Sequence, residues 1–176
     1  LGVIYLDQAK PLEAEKFLKK AVELKPDDLN YKSELGNSYL DLKRFPEAIA
    51  VFSEVLRLNP NLYVANSGMG NAYYNDKKPA EAIPYYKKAV ELAPTNTVAH
   101  QYLADAYLNS KQYPAAIEWF NKAIALDSKH AQSHYGLGLT YYNMKNKAAA
   151  LQQYEKLKPL NATLADRLLK WVNMLN

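Results

Sequence analysis

The sequence predicts an all-α chain in which antiparallel helix pairs stack into a solenoid of about four and a half repeats, closed by a C-terminal capping helix. Three observations predict it. Pro26, Pro60 and Pro94 are spaced by one interval of 34 residues, and the same interval links Gly2, Gly36, Gly70 and Gly138, with Ala104 in the fourth unit. It also links Tyr5, Tyr39, Tyr73, Tyr107 and Tyr141, and Ala14, Ala48, Ala82, Ala116 and Ala150. A large apolar or aromatic residue stands four places after each of those alanines: Leu18, Phe52, Tyr86, Phe120 and Tyr154. No stretch alternates with a period of two over strand length, which excludes a sheet.

Each unit reads as two helices. In the second, Leu35, Gly36 and Tyr39 fall within about 100° of one another on a helical wheel and form one packing face. A polar turn follows from Asp41 to Arg44, and Pro46 sits where the first turn of a new helix accepts it. Ala48, Phe52 and Val55 then form one stripe, which stops before Pro60. Pro79 and Pro114 repeat the start signal. The repeats run over about 1–28 (partial), 29–62, 63–96, 97–130 and 131–160, with a capping helix over about 161–176. Gly and Ala at the facing positions remove bulk so that paired axes approach, and the Tyr and Phe columns fill the space beside them.

Composition narrows the function classes. Of 176 residues, 49% are apolar and 23% charged, the balance of a globular protein, and no apolar run has the length of a membrane span. There is no Cys, which excludes disulfides, thiol catalysis and Cys-ligated zinc. The opening Leu-Gly-Val-Ile-Tyr-Leu has no basic flank and no small-residue cleavage site, so it does not read as a signal peptide. The compartment stays open, with the cytoplasm favoured.

Leu1-Gly2…Tyr5, Leu35-Gly36…Tyr39, Met69-Gly70…Tyr73 and Leu137-Gly138…Tyr141 match the Leu-Gly-x-x-Tyr core of the tetratricopeptide repeat, and the Ala-x-x-x-Phe element and terminal Pro match as well. The chain therefore resembles that family over essentially its whole length, and the resemblance implies a right-handed superhelix. Departures are visible too. The family's Trp slot holds Lys32, Asn66, His100 and His134, Ser128 replaces the terminal Pro of the fourth unit, and Pro159 arrives early in the fifth. The last paired helix should then stop near Lys158. Asn161, or Thr163 with Asp166 as a capping box, would start a final helix with Leu164, Leu168, Trp171, Val172 and Leu175 on one apolar face. The chain opens inside the packing motif, which suggests a fragment of a longer parent.

The resemblance implies that the first helix of each unit lines a concave groove holding a peptide or helix of a partner. Relative to Leu35, Ser33 lies at about 160°, Asn37 at about 200°, Leu40 at about 140° and Asp41 at about 240°, all away from the packing face. The equivalents are Ser67, Asn71, Tyr74 and Asn75, then Gln101, Asp105, Leu108 and Asn109, then Tyr135, Leu139, Tyr142 and Asn143, with Tyr102 beside Gln101. Amides hold an extended backbone whatever its sequence, and Tyr gives contact area at low entropic cost. In the family, grooves that clamp chaperone carboxylates use Lys and Arg; those positions here are Gly68, Tyr102, Val98, Gln132 and Gly136, which argues against that ligand.

Other readings are weaker. Lys43, Lys77, Lys111 and Lys145 share one column at the turn between paired helices and read as a solvated edge in preference to a nucleic-acid surface. His130 and His134 alone cannot supply the ligands of a structural metal site, Ser133 lacks a base and its orienter, and no glycine-rich phosphate loop exists. Neither enzyme activity nor a metal or cofactor is expected. The expected function is a non-catalytic scaffold or adaptor. The alternatives are self-association through the N-terminal end as a homo-oligomer, or service as the targeting domain of a larger enzyme.

Overall fold

The computed structural model describes residue 2 and residues 10–175, and every regular element among them is an α-helix. The first compact unit holds α1 (Pro11–Leu24), α2 (Leu29–Asp41), α3 (Phe45–Leu58), α4 (Tyr63–Asn75) and α5 (Pro79–Leu92). The second holds α6 (Thr97–Asn109), α7 (Tyr113–Leu126), α8 (Ala131–Asn143), α9 (Lys147–Leu157) and α10 (Ala162–Val172). Within each unit, helices consecutive in sequence pack as pairs, and α2, α4 and α6, α8 are neighbours in their own units. The Tyr5 position and most of the N-terminal end lie outside the described residues.

The starts follow from local chemistry. Pro11, Pro46 and Pro114 occupy the first turns of α1, α3 and α7, where a missing N–H costs nothing. Asp28 and Asn96 cap α2 and α6, each accepting from two backbone N–H groups at 3.0–3.2 Å. Of the two expected starts for α10, Asn161 is the cap: its Oδ1 accepts from Leu164 N at 3.0 Å. Thr163 already lies inside the helix, so the capping box with Asp166 does not form.

The stops between paired helices share one device. Arg44 N donates to Tyr39 O at 2.8 Å and Lys43 N to Leu40 O at 2.9 Å, the double closure of a Schellman turn. The same pair recurs at Lys78–Tyr73, Gln112–Tyr107 and Asn146–Tyr141. This turn needs a left-handed residue, and Lys43, Lys77, Lys111 and Lys145 take it with φ of 57°, 64°, 59° and 57°. The lysine column is therefore exposed and also sterically strained. Lys77→Gly is expected to stabilise the protein by about 1 kcal/mol and Lys77→Val to destabilise it, read from urea midpoints.

In the core a glycine faces a large ring directly, where the sequence set glycine against alanine with the rings beside them. Phe52 is fully buried on α3, and a Cβ added to Gly36 of α2 or Gly68 of α4 would stand 2.7 or 2.3 Å from its Cζ. One ring thus keys into two helices. In the second unit Phe120 meets Gly136 in the same way. α10 packs against α8 and α9, and Leu168 fills the space that Gly138 leaves open. Ala165, Leu168 and Val172 form its buried face, whereas Trp171 remains 44% exposed and is not part of the core.

The Trp slot is buried in all four units despite its polar residents. Asn66 Nδ2 donates to Pro60 O at 3.0 Å, His100 Nε2 to Pro94 O at 2.9 Å, and His134 Nε2 to Ser128 O at 3.1 Å. Each therefore pins the loop six residues earlier by donating to one of its carbonyls. Lys32 instead pairs with Glu54.

Candidate functional site

Helical wheels place side chains about their own axis, and the structure adds what the neighbours cover. In the first unit, Asn37, Ser67, Asn71 and Tyr74 are half-buried, and Asp41 and Asn75 are exposed. Ser33 departs from expectation. It is only 3% exposed, and its short hydroxyl turns back to donate to Leu29 O at 2.7 Å, so it offers nothing to a ligand. Asn71 Oδ1 accepts from the Tyr86 hydroxyl at 2.7 Å, which ties it to α5.

In the second unit, Gln101, Tyr102, Asp105, Tyr135, Leu139 and Tyr142 are half-buried, while Asn109 and Asn143 are exposed. Leu108, expected beside them, is 9% exposed and belongs to the core. Asn75, Asn109 and Asn143 share a habit. Each Nδ2 donates to the carbonyl four residues earlier, at 2.9, 2.9 and 2.8 Å. One amide hydrogen of each of these three is thus committed to its own helix terminus.

Asp105 is the most perturbed group on this face. Burial pushes its carboxyl up to about 7, opposed by the Gln101 amide, which donates to Oδ2 at 2.5 Å. The corresponding Asn71 has a tyrosine hydroxyl for support; the residue at the Tyr86 position in this unit is Phe120, which has none.

Two contributors escaped the sequence reading. The Arg167 guanidinium lies over the Tyr135 ring at 5.5 Å, and Trp171 meets Tyr142 with ring centroids 5.7 Å apart. The face therefore also carries a cation, Arg167. No column arithmetic could have found them, because α10 falls outside the 34-residue interval. Among the described residues no three His, Cys, Asp or Glu side chains converge as metal ligands, and no helix is long and apolar enough to cross a membrane.

Comparison with known proteins bears on the repeats. Family profiles described as "Tetratricopeptide repeat" match residues 1–63 and 33–97, 85–118 and 131–162, and one described as "TPR repeat" matches 104–145. No relative emerges among curated proteins. Among solved structures, the chain is similar to MamA 41-end from Desulfovibrio magneticus RS-1, with TM-score 0.85 and 26% identity over 92% of each chain. It is also similar to YrrB, described as a TPR protein with an unusual peptide-binding site, with TM-score 0.81 and 24% identity over 96% of this chain and 88% of that one. A MamA RS-1 ArsTM double mutant gives TM-score 0.84 and 26% identity, covering 92% and 91%.

Proposed function

We propose, from the premise that this chain belongs to the tetratricopeptide repeat family, that it binds a peptide or helix of a partner protein along the inner helices of its units. The repeats and their structural neighbours support a protein–protein interaction scaffold. The finer reading is carried by one observation: on α8, Tyr135, Leu139, Tyr142 and Asn143 stay accessible while Ser133, His134, Leu137 and Thr140 of the same helix are buried. An accessible stripe of aromatic and amide side chains is costly to leave idle in water and suits an extended main chain, which needs both contact area and hydrogen-bonding partners. The reading is non-catalytic: the α8 hydroxyl with a base beside it, Ser133 with His130 Nδ1 at 2.8 Å, is buried off this face.

Panning a phage-displayed random-peptide library tests it. Wild type is expected to enrich a defined peptide set, and a Tyr135→Ala, Tyr142→Ala, Asn143→Ala variant that keeps its helical circular dichroism is expected to lose that set. Equal enrichment by the folded variant, or none by wild type, would refute the groove.

A further inference from the structure

The inner face of the second unit is electrically polarised. Asp105 on α6 is half-buried, and the Gln101 amide donates to it at 2.5 Å. No cation pairs with it among the described residues. Arg167 on α10 is exposed and rests on the Tyr135 ring, with no carboxylate partner among the described residues. Between them, α8 presents Tyr135, Leu139 and Tyr142, and Trp171 extends the Tyr142 surface. α8 packs against both α6 and α10, so the three helices form a continuous strip: acid, aromatic floor, base.

We propose that this strip binds an extended segment of a partner protein that carries a Lys or Arg opposite Asp105 and an Asp or Glu opposite Arg167, with apolar or aromatic residues between them. The proposal rests on the groove reading above and specifies its ligand. The occupant follows from complementarity. A half-buried carboxylate without a cation gains from a basic ligand side chain, while a stacked guanidinium is held in place for a carboxylate. Two steps between packed helices span about 20 Å, and an extended chain rises about 3.3 Å per residue, so the two ligand charges should be about six residues apart. A nucleic acid is disfavoured, because its phosphates would meet Asp105 at one end of the strip.

The test begins with the peptides enriched by wild type, followed by fluorescence anisotropy of the best synthetic one. The enriched set is expected to show a basic and an acidic position about six residues apart. Arg167→Glu should weaken binding about tenfold or more, Arg167→Lys should weaken it less, and replacing the peptide's acidic residue with Lys should restore affinity for Arg167→Glu only. Asp105→Asn should erase the preference for the basic position. Peptides that bind the groove without this spacing, or that bind wild type and both charge variants equally, would overturn the polarity while leaving the groove reading standing. A spacing near thirteen residues, the helical rise over the same span, would overturn the extended form. No enrichment at all would overturn the groove reading, and this proposal with it.

Discussion

Replacing Phe52 with Ala is expected to lower the unfolding free energy by about 3–5 kcal/mol, because the ring is fully buried and its space cannot collapse on both sides at once. The physical content lies in its partner. A Cβ at Gly68 would stand 2.3 Å from the ring's Cζ, closer than non-bonded carbons approach, so the fully buried ring would have to shift. Gly68→Ala alone should therefore cost about 1–3 kcal/mol through overpacking. In the double variant the new methyl group enters the space that the ring has left, so the combined loss should fall short of the sum by about 1 kcal/mol or more. Urea unfolding of the four proteins in the cycle measures this directly. Strict additivity would mean that α3 and α4 do not meet through this ring.

Asp105→Asn is expected to change how stability depends on pH. The carboxyl sits at about 7 in the folded protein, against an ordinary value of 3.8, because burial disfavours its charge. The folded state therefore holds this proton more tightly than the unfolded chain does. Between about pH 4 and pH 7 the unfolded chain has released the proton and the folded one has not, so stability falls as pH rises through that window and levels off above it. At 1.36 kcal/mol for each tenfold change in proton affinity, the loss is at most on the order of 4 kcal/mol, since Asp105 keeps some contact with solvent. The variant should match wild type near pH 4 and exceed it by a few kcal/mol at pH 8. Every other ionisable group is common to the two proteins, so the difference between the two curves isolates Asp105. A flat difference would show that the carboxylate is well solvated.

Much of the fold was legible in the residues themselves. The 34-residue interval, the prolines at helix starts and the columns of small and large residues all concern periodicity and short-range sterics. The candidate face was legible only in part. Wheel angles put Ser33 and Leu108 outward, yet an angle about one axis says nothing of how far a neighbouring helix reaches, and both are covered. The turn lysines read as solvated charge, while their backbone conformation, set by the closure onto the tyrosine carbonyls, was invisible until the two hydrogen bonds were seen.

What the sequence by itself determined is the repeating unit: its helices, the signals that start and stop them, and the columns of small and large residues they carry, because each of these is decided within about 34 residues of chain. Tertiary structure alone decided where the side chains of the final helix lie. The final helix lies outside the interval, so the direction of its side chains follows from how Leu168 seats on Gly138, and that seating carries Arg167 to Tyr135 and Trp171 to Tyr142. It also decided the charge state of Asp105, since desolvation is a property of everything packed around a group and not of the group's place in the chain.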